Sequence, residues 1–239
     1  MKFKINLFSL WLILLGLSVC VIILIGGYTR ISGSGLSITE WQPISGILFP
    51  TNELQWVIEF SKYQLIDEFK LINSNMSLNE FKTIYFWEWF HRAVARLIGF
   101  LFLIPFLFFF IKGKIPSKAL LTTILIGVFI IIQSIVGWYM VKSGLVDRVD
   151  VSHYRLSVHL INAFIILALI IFTFVLSQDS YFDNGITKLK TLLKIFTILI
   201  FFQIFYGAFV SGTHAGLIVN TWPTFNGEWI PEKLLELKP

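Results

Sequence analysis

Long apolar runs separated by polar segments dominate this chain. No charged residue occurs from Ile5 to Tyr28, and at 1.5 Å per residue that run is long enough to cross about 30 Å of hydrocarbon as a helix. Comparable runs at about residues 84–111, 119–141, 153–176 and 191–210 predict four more spans. The basic start Met1-Lys-Phe-Lys4 has the look of a signal peptide. No Ala-x-Ala-like site closes the apolar run behind it, so about residues 5–28 are read as a retained first span.

The polar loop of residues 29–80 opens with the turn-rich Ser32-Gly-Ser-Gly35. Trp56, Phe60 and Tyr63 then recur at i, i+4 and i+7 among Glu59 and Lys62, the pattern of an amphipathic helix that lies on the membrane surface or roofs a pocket. Ser77-Leu-Asn-Glu80 is a capping box, which starts the second helix outside the membrane. Pro105 is predicted to kink that helix.

Composition agrees with this reading. Of 239 residues, 56% are hydrophobic and 14% charged, with a mean hydropathy of +0.79. The fold class is therefore an all-α polytopic membrane protein that shares its core with the lipid bilayer. The net charge of +5 does not imply nucleic acid. Lys2 and Lys4, then Lys112, Lys114 and Lys118, then Lys188, Lys190 and Lys194 fall on one side of the predicted spans, which makes that side cytoplasmic and puts the N-terminus there. Cys20, the single cysteine, sits in an apolar run, which excludes a disulfide framework, a thiolate cluster and a CxxCH haem attachment. Any haem would be noncovalent.

The arginines sort the other way. Arg30, Arg92, Arg96, Arg148 and Arg155 all map to the outer half, where positive-inside sorting does not explain them. A guanidinium fork binds carboxylates in bidentate fashion and suits an anionic ligand such as the propionates of a haem. The alternative is snorkelling to headgroups, with pairing to Asp147 and Asp150.

The richest stretch is Glu80 to Arg96, which carries Glu88, His91, Arg92 and Arg96 into an apolar helix. Glu88 and His91 are spaced i, i+3 on one helical face, and Arg92 and Arg96 form an i, i+4 ridge beside them. Ionisable groups at membrane depth are costly and mark function by default, unless they only touch headgroups at the interface. In the fourth span, His153 and His159 are six residues apart and lie on different faces, so one must be chosen. His159 is the deeper and shares a face with Arg155 and Ala163. With His91 it forms a pair suited to bis-imidazole iron ligation, the other reading being two hydrogen-bonded packing residues.

The chain also repeats itself. Gly26-Gly-Tyr-Thr-Arg-Ile-Ser-Gly-Ser-Gly-Leu36 aligns without a gap on Gly207-Ala-Phe-Val-Ser-Gly-Thr-His-Ala-Gly-Leu217, and Trp41 and Gly46 match Trp222 and Gly227 at the same offsets. Gln133-Ser-Ile-Val-Gly137 is a looser echo of Gln203-Ile-Phe-Tyr-Gly207. The expected organisation is a four-helix half over residues 1–180 and the start of a second, similar half over 186–239. On that expectation the chain is a truncated or split version of an eight-span protein. The alternative is a complete five-span protein whose last turn resembles the first by convergence.

The motifs Gly26-Gly-Tyr-Thr-Arg-Ile-Ser-Gly-Ser-Gly-Leu-Ser37, Glu88-x-x-His-Arg92 with Arg96, Gly137-Trp-Tyr-Met-Val-Lys-Ser-Gly-Leu145, Val151-Ser-His-Tyr-Arg-Leu-Ser-Val-His-Leu160 and Asn220-Thr-Trp-Pro223 together resemble the haem A synthase family. The resemblance covers almost the whole chain. It is nearest the mitochondrial and proteobacterial type, because the outer-loop cysteine pair of the other type is absent. It implies an oxidoreductase of the bacterial inner membrane with eight spans in two similar halves. That enzyme oxidises the C8 methyl group of haem O, through an alcohol, to the formyl group of haem A used by cytochrome oxidase. His91 and His159 match the first-half histidines and Glu88 the catalytic acid, with Arg30, Arg92 and Arg155 placed near the propionates; His153 and His214 match no ligand. Ala95 stands where the family often has glycine. The second-half histidine pair, associated with a haem b site, has no counterpart. Implied partners are the substrate haem O, haem O synthase, and a homo-oligomer or a complementing second-half chain. The rival classes are a non-catalytic haem-binding remnant and a b-type cytochrome for electron transfer.

Overall fold

The computed structural model describes residues 5–42, 45–146, 149–178 and 187–230. Lys2, Lys4, Asp147 and Arg148 lie outside the described residues, as does the side chain of Lys188.

Each apolar run becomes a helix, and side-chain caps start the first two. Helix α1 (Leu7–Ile31) begins where the Asn6 side chain accepts from Ser9 N. Two short helices, α2 (Glu53–Tyr63) and α3 (Asp67–Leu71), occupy the long loop. Helix α4 (Leu78–Ile111) opens on the expected capping box, with Glu80 reaching back to Ser77 N at 2.7 Å. It runs unbroken through Pro105. Helices α5 (Ser117–Gly144), α6 (His153–Leu176) and α7 (Thr187–Gly212) follow, then the short α8 (Ala215–Ile218). Five of these, α1 and α4 to α7, are long and apolar enough to cross a membrane. The class is all-α and polytopic.

Helix α1 packs on both α4 and α6, α5 packs on α6, and α4 touches α5 lightly, so α4 and α6 stand at opposite corners of a four-helix bundle. Helix α7 lies against the flank of α6. Gly212 permits that approach, since a Cβ there would come within 2.8 Å of the His153 Cα.

The two ends of the bundle differ in chemistry. At the end bearing Lys112, Lys114 and Lys118, Phe8 meets Trp11 and Phe109 edge to face, Trp11 lies tilted against Phe102 and Phe109, and the Trp11 indole donates to Leu101 O at 2.8 Å. At the loop end, Trp56 and Tyr63 turn the apolar face of α2 onto Phe81 and Tyr85 of α4. The amphipathic face read from the sequence is thus buried on the protein's own helix. The polar groups of interest sit between these two packed layers.

Candidate functional site

Glu88 is buried at the loop end of α4 and accepts three hydrogen bonds. Ser37 Oγ donates at 2.6 Å, Ile38 N at 2.8 Å and Arg92 Nη2 at 2.5 Å. The i, i+4 spacing brings Arg92 over the carboxylate, and the guanidinium also donates to Ile38 O and Glu40 O. Arg96, one turn further, donates to Gln42 O. The loop after α1 is therefore pinned to α4 by charged groups. Arg92 and Arg96 also line a cleft of about 260 Å³ under α2, together with Tyr85 and Glu59. Neither histidine of the predicted pair lines it.

His91 faces α1 instead. Its ring lies against Gly26, where a Cβ would sit 3.5 Å from Nε2. His159 on α6 lies against Gly137 of α5, where a Cβ would sit 3.0 Å from Cε1. Each imidazole thus fits against a helix that has no side chain at that level. The two histidines come from helices at opposite corners of the bundle. His153, by contrast, turns to α7 and packs its ring on Phe209, 5.0 Å between centroids. The two histidines of α6 thus face different neighbours, His159 towards α5 and His153 towards α7.

His159 is held by a chain of amides. Gln133 Nε2 lies 3.2 Å from His159 Nε2, and Asn162 Nδ2 donates to Gln133 Oε1 at 2.6 Å and to Phe129 O at 3.0 Å. His159 Nδ1 is buried without a partner. Two imidazoles presented from two helices are the donor set for an iron porphyrin, which brings four of the six ligands itself. Among the described residues no cluster of three or more His, Cys, Asp or Glu side chains is placed to hold a metal ion.

The arginines divide by partner. Arg30 pairs with Asp150 and donates to Ser211 O at 3.1 Å, while His214 Nε2 lies 2.8 Å from Asp150 Oδ2. This cluster ties the ends of α1 and α7 to the start of α6. Burial alone would raise the Asp150 carboxyl, but the hydrogen bonds from Arg30 and His214 hold it below its usual range. Arg155 stacks on the Tyr139 ring at 4.5 Å. Arg30 Nε and Arg155 Nη1 remain buried with no partner, so both keep a donor for an anion.

Sequence reasoning missed Glu68. It is buried on α3 beside the Tyr63 hydroxyl, and its Oε2 has no partner. Burial, reinforced by the charges of Glu88 and Asp150, pushes this carboxyl up to about 8. Gln133 and Asn162 were missed as well. Their signal was an uncharged amide within an apolar span, where such a group is costly unless it is bonded.

The fold is that of a polytopic helical membrane protein with two histidines and a buried acid near its loop end. A model of the cytochrome oxidase assembly protein family (COX15-CtaA) matches residues 9–239, and the chain belongs to that family. Among curated relatives, the protein named "Heme A synthase" of Wolbachia pipientis subsp. Culex pipiens (strain wPip) is 45% identical over 97% of this chain and 70% of its own length. The "Heme A synthase" of Wolbachia pipientis wMel is 44% identical over 97% of this chain and 67% of its own. That of Maricaulis maris (strain MCS10) is 45% identical over 95% of this chain and 67% of its own. No solved structure matches the chain.

Proposed function

We propose that this chain acts in haem A biosynthesis as an oxidoreductase that converts the C8 methyl group of haem O, through the alcohol, to the formyl group of haem A. What supports the reading is the name shared by its relatives and, in this chain, one observation above the others. His91 and His159 lie against glycines on neighbouring helices with the Glu88 carboxylate one turn away from His91.

On this reading His91 and His159 are the axial ligands of the substrate haem. Arg155 and Arg30, each with an unpartnered nitrogen, meet the propionates. Arg92 has its charge engaged by Glu88, and it serves the propionates only through its remaining donors. Methyl to alcohol and alcohol to aldehyde are each two-electron oxidations. Glu88 is the group in reach that can pass on protons or stabilise positive charge developing at the oxidised carbon. A haem b would supply an electron exit, and no ligands for it are assigned among these residues.

We assign residues 1–180 to a four-helix half and 186–239 to the start of a second. The location is the bacterial inner membrane, with the N-terminus cytoplasmic and the loop end outward. Haem O synthase is the natural donor of the substrate.

The test is expression in a host that makes haem O but no haem A, followed by extraction and chromatography of noncovalent haems. Haem A or its alcohol precursor is expected with the unaltered chain and not with His91→Ala. Unchanged haem O in both would overturn the oxidase reading.

A further inference from the structure

The amides beside His159 decide which of its nitrogens carries the proton. Asn162 spends its Nδ2 hydrogens on Phe129 O and Gln133 Oε1. The oxygen of Gln133 therefore faces Asn162, and its nitrogen faces His159. An amide nitrogen can only donate, so His159 Nε2 must accept, and in a neutral imidazole the proton then sits on Nδ1. Nδ1 is the buried atom with no partner. The usual way to fix a ligating histidine is a hydrogen bond on the nitrogen opposite the metal. Here the ring is fixed from the other end, through the lone pair itself.

The placement is a built one. Gln133 and Gly137 are i, i+4 on α5, while His159 and Asn162 are i, i+3 on α6, so two residues of each helix form one cradle around the ring. Asn162 is buried, and two amides within apolar spans cost free energy that aliphatic packing would avoid. Among the described residues the His91 ring makes no hydrogen bond. One of the paired imidazoles is open and the other is engaged.

We propose that Gln133, anchored by Asn162, is a latch on His159: it holds the ring with Nε2 unprotonated and must release that nitrogen before His159 can bind iron. This rests on the reading of His159 as a haem ligand. Gln133 is a positioning residue and takes no part in the oxidation. It makes His91 the first point of capture and His159 the second.

The test is a titration of the full chain in detergent with ferric haem, followed by the visible spectrum of the low-spin bis-histidine form. Removing one competing hydrogen bond in Gln133→Leu should tighten formation of that form by roughly three- to tenfold. Asn162→Ala, which frees the Gln133 side chain without deleting it, should shift it in the same direction by less. In a His159→Ala background Gln133→Leu should have no effect. Unchanged affinity and spectrum in Gln133→Leu and in Asn162→Ala, with the low-spin form still lost in His159→Ala, would overturn the latch alone. A low-spin form that survives in His159→Ala would overturn the ligand reading and the latch with it.

Discussion

Ser37 and Glu88 join the loop to the bundle: the serine hydroxyl, buried after the turn that ends α1, donates to Glu88 Oε2 at 2.6 Å. The loop backbone donates to the same oxygen through Ile38 N. Ser37→Ala removes a hydrogen bond to a charged acceptor and should lower stability by about 1.5–3 kcal/mol. Thermal unfolding of the detergent-solubilised protein measures this. Glu88→Gln keeps the shape but breaks the buried pair with Arg92. It should reduce haem O conversion more than tenfold, an increase of about 1.4 kcal/mol or more in the barrier, while haem stays bound. Full conversion in Glu88→Gln, read by haem chromatography, would take the acid out of the chemistry.

Adjacent glycines should behave differently. Gly137→Ala puts a methyl group 3.0 Å from His159 Cε1 and forces the ring to shift by a few tenths of an ångström. Gly26→Ala makes ordinary contact with His91 at 3.5 Å, and Gly27→Ala meets nothing within 4 Å. Haem affinity, measured by absorbance titration, should fall most in Gly137→Ala, less in Gly26→Ala and not at all in Gly27→Ala.

Two acids at the loop end should give pH dependences of opposite sign. The Glu68 carboxyl is raised from 4.5 to about 8, so the folded protein holds its proton more tightly than the unfolded chain. Its contribution is complete below about 4.5 and is lost as pH rises to about 8, by about 1.4 kcal/mol per pH unit. Glu68→Gln, which mimics the protonated form, should flatten the melting temperature between pH 6 and pH 9.

Asp150 is lowered from 3.8, so its stabilising contribution is present above that value and lost as pH falls below it. Asp150→Asn should loosen the tie between α1, α6 and α7 at neutral pH. Faster hydrogen exchange at the ends of α1 and α7, with the core of α4 unaffected, is the expected result.

What was legible in the sequence is what local pattern encodes. The apolar runs gave all five spans, and the Ser77–Glu80 spacing gave the start of α4. Pairings between distant segments were not legible. The pairing of arginines with Asp150 weighed from the sequence names the acid but not the arginine that meets it across 120 positions, and no helical period reports that Asn162 meets Gln133 across 29. The same limit hid Glu68, whose burial depends on how α3 folds between α2 and the start of α6. It also left open that α2 would spend its apolar face on Phe81 and Tyr85 of α4.

The central claim is that His91 and His159 together hold one haem. Its most direct test is the electron paramagnetic resonance spectrum of the ferric haem-loaded chain, with His91→Ala and His159→Ala prepared in parallel. A low-spin bis-imidazole signal is expected in the unaltered chain, lost in each variant and restored in each by added imidazole. The same low-spin signal in either variant without added imidazole would contradict the claim.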